Sequence, residues 1–172
     1  MSWEDEFRRR LKKFEKTFPT QNGDTPISIK VRVSSGCFHR EHSPNAYGLI
    51  DEYLASHSHS DFGFEEHESG PELLVYLSFV AAGVSLTTSI INLVTTIIKA
   101  RTEGIKRGDR KDAPLELIVR GFDEDGTLRE ETVLRIDAGH DVNEKLIEKA
   151  LVDSVGKLAP KNKVKKKSRE KK

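Results

Sequence analysis

Hydrophobic residues near the N-terminus recur at intervals of three and four positions, the spacing of one face of a helix. These residues are Trp3, Phe7, Leu11, Phe14 and Phe18. Lysine and arginine fill the other faces, and Pro19 ends the pattern. The pattern predicts an amphipathic helix over residues 1–19, whose five apolar side chains we expect to bind a partner. Packing of this face against the chain's own core is the alternative.

Three shorter patterns follow. Apolar and polar residues alternate from Ile27 to Val33, which predicts a half-buried strand. Ser43 and Pro44 then predict the start of a helix that continues to about Ser56. A further alternation at Phe62 and Phe64 predicts a short second strand.

The stretch that begins at Leu73 and ends at Ile98 contains no charged residue. A capping-box pattern at Ser69 and Glu72 predicts that a long helix starts there. In its second half, apolar residues take one helical face while Ser, Thr and Asn take the other, which favours a helix half buried in a protein core. The stretch also exceeds the roughly 20 residues that cross a bilayer, so a transmembrane helix is the alternative.

The C-terminal third contains a second group of strands. Residues 115–122 and 129–136 flank a turn at Asp125-Gly126 and predict a β-hairpin. A last amphipathic helix follows, with Leu146, Ile147 and Leu151 on its buried face. The element order is β-α-β-long α-β-β-α, which predicts an α+β domain over residues 27–158 with helices packed on a small mixed sheet.

Charge is distributed unevenly along a chain whose formal net charge is +1. Both ends are basic and the body is acidic. We expect residues 159–172 to form a disordered basic tail that could bind nucleic acid or acidic lipid. A single cysteine excludes an intrachain disulfide. The first residues include Glu4, Asp5 and Glu6 and so differ from the basic start of a signal peptide. We therefore expect a cytoplasmic protein, or an inner-membrane protein if residues 73–98 span a bilayer.

Residue types that carry chemistry are present, but not in a recognised pattern. Cys37, His39 and His42 are possible zinc ligands, yet their spacing matches no zinc-finger pattern, so we expect no metal. Neither glycine-rich phosphate loop is present, and nothing activates Cys37 as a nucleophile. The sequence therefore predicts a protein that is not an enzyme and has no cofactor.

Several segments together resemble the effector-associated constant component family of prokaryotic conflict systems, over about residues 27–156. The segments are the early strand, the helix with Tyr47, Leu49 and Tyr53-Leu54, the apolar stretch ending in Ile97-Ile98-Lys99-Ala100-Arg101, and the hairpin that starts at Leu115-Glu116-Leu117-Ile118-Val119. The resemblance implies a small non-catalytic domain that serves an effector in antiviral defence or self-killing.

We therefore expect an adaptor or assembly domain that binds a protein effector or a second copy of itself. The alternative function is a membrane-anchored component or effector, held by a helix over residues 73–98.

Overall fold

The computed structural model describes residues 1–20, 24–57, 62–80, 83–111, 113–137 and 143–158. The helices of this part of the chain are α1 (Trp3–Thr17), α2 (Pro44–Ser56), α3 (Thr88–Lys106) and α4 (Glu144–Val155). Its strands are β1 (Thr25–Val33), β2 (Gly63–His67), β3 (Gly70–Val80), β4 (Gly83–Ser85), β5 (Leu115–Phe122) and β6 (Leu128–Ile136). The predicted α+β class is confirmed. The predicted basic tail, residues 159–172, lies outside the described residues.

Five strands form one sheet in the order β2-β3-β1-β5-β6, and β4 pairs with the end of β3. Every described pair of strands is antiparallel. The prediction of a mixed sheet is therefore wrong. At the centre of the sheet, β1 and β3 run in opposite directions, and Ile29 pairs with Leu73.

The sheet has helices on both faces, because alternate residues of a strand point to opposite sides. On one side, Ile29, Leu73 and Leu117 pack with α2, α3 and α4 to form the main core. On the other side, Leu74 packs with α1 to form a smaller apolar cluster. The N-terminal helix thus lies against the sheet rather than standing apart from it.

The prediction of one long helix over residues 73–98 is wrong. Its first part forms β3 and β4, and α3 begins only at Thr88. In β3, Leu73 faces the main core and Leu74 faces α1, so both faces of this strand are buried and no polar alternation marks it. Among the described helices, none combines the length and apolar character needed to cross a membrane.

The start of β3 also differs from the predicted capping box. Gly70 pairs with His67 of β2 across a tight turn and has a φ of +142°. A Cβ atom at this position would lie 1.9 Å from the carbonyl oxygen of Val31. Glycine is therefore required at this turn, and Glu72 becomes a strand residue instead of a helix cap.

A carboxylate from a distant loop caps α2. The Asp109 side chain accepts hydrogen bonds from the backbone nitrogens of Asn45 and Ala46, at 3.0 and 2.8 Å. The side chain of Ser43, the N-cap residue, forms no capping bond, so Asp109 supplies the acceptor that the first turn needs. Gly104 of α3 makes room for this contact, because a Cβ there would lie 2.2 Å from an Asp109 oxygen.

We predict that Gly104→Ala destabilises the fold, whereas Gly48→Ala stabilises it. Gly48 lies within α2, is exposed, and has no atom within 4 Å of an added Cβ. Alanine there should add about 0.5–1 kcal/mol to the free energy of unfolding, while the clash at Gly104 should cost more than about 1 kcal/mol. Urea denaturation of both variants measures the difference, and stabilisation by both would contradict the Asp109 contact.

Candidate functional site

The predicted partner-binding side chains of α1 lie mostly against the protein's own sheet. Phe7, Leu11 and Phe14 are buried. Phe18 is partly buried, and its carbonyl oxygen accepts a hydrogen bond from the Tyr76 hydroxyl at 2.5 Å. The three central side chains are thus covered in this structure, which corrects the expectation that the whole stripe faces a partner. Their packing on the sheet buries apolar area that the amphipathic helix would otherwise expose to water.

Trp3 differs from the rest of the stripe, because it is 50% exposed at the N-terminal end of α1. Its indole stacks on the Phe7 ring with a centroid distance of 5.6 Å. The Arg120 guanidinium lies 5.0 Å from the centre of the Trp3 ring, within the range of a cation–π contact. Trp3 is therefore held in place while much of its surface remains open.

Charged side chains lie on the α1 side of the sheet, next to the apolar cluster. They come from α1 and from all five strands of the main sheet, and we call them the charged cluster: Arg10, Lys30, Glu65, His67, Glu72, Arg120 and Glu130. The pairing of Lys30 with Glu72 and of Arg120 with Glu130 brings them together. Of these residues, Lys30, Glu72 and Arg120 are buried.

Glu72 lies at the centre of the charged cluster and is 1% exposed. One carboxylate oxygen binds the Arg10 guanidinium from α1, and the other lies 3.4 Å from the Arg120 guanidinium of β5. Arg10 also binds Glu65, and Arg120 binds Glu130 at 2.6 Å. Each carboxylate of the charged cluster is therefore bound to at least one guanidinium, as buried carboxylates require.

Lys30 is the exception in this pattern of pairing. It is 8% exposed, and within the described residues its ammonium donates no hydrogen bond. The pKa of Lys30 is lowered to about 8, chiefly by burial and then by the positive charges of Arg120, Arg10 and Arg32, while Glu130 opposes the shift. Burial and the charge of Lys30 likewise lower the pKa of His67, which favours a neutral imidazole near pH 7.

Three members of the charged cluster have the chemistry of metal ligands. Oxygen or nitrogen atoms of Glu65, His67 and Glu72 lie within 4.8 Å of one another, the only such group among the described residues. Arg10 binds both carboxylates, and its guanidinium lies 3.4 Å from the His67 imidazole. A metal ion at this position would have to displace Arg10.

The cysteine and histidines singled out from the sequence do not form a comparable group. Cys37 is buried, and the His39 ring lies 6.3 Å from the ring of Tyr47. Cys37, His39 and His42 are not among the described residues that cluster as metal ligands. His57, which lies farther along the chain, stacks on Tyr53 at 4.0 Å instead.

Sequence reasoning missed the charged cluster. Lys30 occupies a polar position of the alternating pattern in β1, which favours exposure to solvent. The signal that could have located the cluster is Arg10, since this cation lies beside the apolar stripe, three residues after Phe7 and four before Phe14. A cation in that position needs an acidic residue on whatever surface the stripe covers.

Comparison of the chain with protein-family models, with curated proteins and with solved structures finds no match.

We predict that Lys30→Met raises stability at neutral pH. Folding lowers the Lys30 pKa from 10.5 to about 8, so between these pH values the unfolded chain binds more protons than the folded one. Stability should therefore rise with pH across this window, and below about pH 8 the charged lysine costs the folded state free energy. Methionine removes this cost, and the variant should gain about 1–2 kcal/mol at pH 7.

Urea denaturation at several pH values between about 7 and 10 tests this prediction. The gain of the Lys30→Met variant over the native protein should shrink as the pH rises, because native Lys30 becomes neutral. Lys99→Met is the control, since Lys99 is exposed and pairs with Glu144 at 2.8 Å. A loss of stability in Lys30→Met at pH 7, or a gain that does not change with pH, would contradict the assignment.

Proposed function

We propose that the protein is a non-catalytic adaptor or assembly domain that binds a protein effector, as the family resemblance implies. The observation that carries this proposal is the mutual pairing of the charged cluster. Glu65, Glu72 and Glu130 are each bound by Arg10 or Arg120. A general acid or base must be free to exchange a proton with a substrate, whereas these carboxylates are held as ion pairs. Such pairing suits a cluster that positions α1 on the sheet.

The outer surface of α1 supplies a binding face of defined chemistry. Its inner face is packed on the sheet. The exposed positions of the helix carry four cations, Arg9, Lys12, Lys13 and Lys16, and three acids, Glu4, Asp5 and Glu15. Trp3 lies at the N-terminal end of this surface, beside the acids of the first turn, and the cations follow along the helix. Exposed tryptophan and arginine are among the residues that most often dominate binding energy at interfaces. We therefore propose a partner whose contact surface is acidic, with an apolar pocket for the Trp3 indole.

We predict that Trp3→Ala weakens recovery of the partner at least tenfold, which corresponds to about 1.4 kcal/mol of binding free energy. Leu146→Ala is the matched control, because Leu146 is 51% exposed on α4 and Trp3 is 50% exposed on α1. The measurement is affinity purification of the tagged protein from its own cells, with the co-purifying protein quantified by mass spectrometry. Recovery with the control should stay within about twofold of the native value.

Binding can be separated from folding in this test. In the Trp3→Ala variant, Arg120 still has Glu72 and Glu130 as partners, so the pairing of the sheet residues is retained. An unchanged urea midpoint then assigns any loss to the interface. The proposal fails if no protein is recovered in stoichiometric amount, or if both substitutions reduce recovery equally.

A further inference from the structure

A groove with a volume of about 420 Å³ lies between α2 and α3, on the side of the sheet opposite α1. Each helix contributes residues at intervals of three and four positions, which is the spacing of one helical face. In α2 these residues run from Leu49 to Ser56, and in α3 they run from Thr96 to Glu103. The volume is within the range of about 300–1,000 Å³ that is typical of small-molecule sites.

Apolar side chains and one aromatic pair form most of the surface of this groove. Leu49 and Ala100 come from the two facing helices, and Ala100 is buried. The Tyr53 ring stacks on the His57 imidazole with a centroid distance of 4.0 Å and an interplanar angle of 13°. His57 Nδ1 lies 2.8 Å from the Tyr53 carbonyl oxygen, which can only accept a hydrogen bond, so this nitrogen donates and holds the imidazole in place. The groove therefore offers a fixed aromatic surface to an apolar ligand.

The charges along the groove leave one carboxylate without a partner. Lys99 lines the groove, and its ammonium binds Glu144 at 2.8 Å. Glu103 also lines it, and its carboxylate accepts from the Arg107 guanidinium at 3.1 Å. Within the described part of the chain, the Glu52 carboxylate makes no hydrogen bond or ion pair. Glu52 therefore gives the groove a negative charge that no cation of the described residues balances.

We propose that this groove binds a small organic amine that has an apolar body and a single ammonium group. The body would lie on the pair formed by Tyr53 and His57, because aromatic faces attract both other rings and cations. The ammonium would face Glu52, whose one unbalanced charge matches one positive charge. An anionic ligand is disfavoured, because the groove's own cation, Lys99, is already paired. Since the groove and α1 lie on opposite sides of the sheet, this site is independent of the protein partner proposed above.

An NMR titration of the isotope-labelled full chain with tryptamine at pH 7 tests the proposal. Tryptamine carries an indole and one ammonium, and tryptophol has the same indole with a hydroxyl in place of the ammonium. Saturable shifts should appear at the amides of residues 49–57 and 96–103, and tryptamine should bind about fivefold more tightly than tryptophol. Indoleacetate, the anionic analogue, should bind more weakly than either.

Replacing the carboxylate tests the assignment of the charge. Glu52→Gln should reduce the preference for tryptamine over tryptophol to below about twofold. Glu148→Gln is the matched control, because Glu148 is an exposed glutamate of α4 that also has no ion pair among the described residues, and this variant should keep the native preference. The tryptophol affinity of Glu52→Gln should stay within about twofold of the native value, which shows that the groove is still formed.

The proposal is overturned if no saturable shifts occur, or if the shifts centre on a surface other than the groove. It is also overturned if the native chain binds tryptophol as tightly as tryptamine, or if Glu52→Gln and Glu148→Gln have the same preference. None of these outcomes bears on the α1 interface, which the recovery of the protein partner by Trp3→Ala tests separately.

Discussion

The buried carboxylate of Glu72 is the constraint on which the arrangement of α1 and the sheet depends. It is 1% exposed, so it must be paired, and its partners come from different elements, Arg10 of α1 and Arg120 of β5. Apolar packing has no direction of its own, whereas this ion pair does. Because Phe7 and Phe14 lie three residues before and four after Arg10, the same contact seats both rings on the sheet.

The charged residues on the sheet face beneath α1 fix the position of the helix, but they stabilise the fold less than apolar residues would. An apolar surface would hold an amphipathic helix more strongly, since buried ion pairs often contribute less than hydrophobic residues of similar volume. Ser28 adds to this cost, because its buried hydroxyl has no partner within the described residues, and Lys30 adds to it because burial disfavours its charged form. Local violations of this kind are expected where a surface has a role beyond folding.

Periodicity in the sequence located α1 and α2, because each buries one face and exposes another. The hairpin was located by its turn at Asp125-Gly126, although β5 is buried on both faces. It could not locate β3, whose run of Leu73, Leu74 and Val75 is buried on both sides and fits a helix equally well. For the candidate site, the spacing identified the apolar stripe of α1 but not the surface that covers it. That surface is assembled by pairing distant strands, and a single sequence does not specify the register of Glu72 against Lys30.

The central claim is that the contact between Arg10 and Glu72 holds α1 on the sheet. Hydrogen exchange of the α1 amides in Arg10→Met and Arg9→Met tests it most directly, since Arg9 is an exposed neighbour that pairs only with Glu6 among the described residues. The account predicts that Arg10→Met loses protection along α1 while β1, β3 and β5 keep theirs, and that Arg9→Met matches the native protein. Equal protection of α1 in both variants would contradict the account, because apolar packing alone would then hold the helix in place.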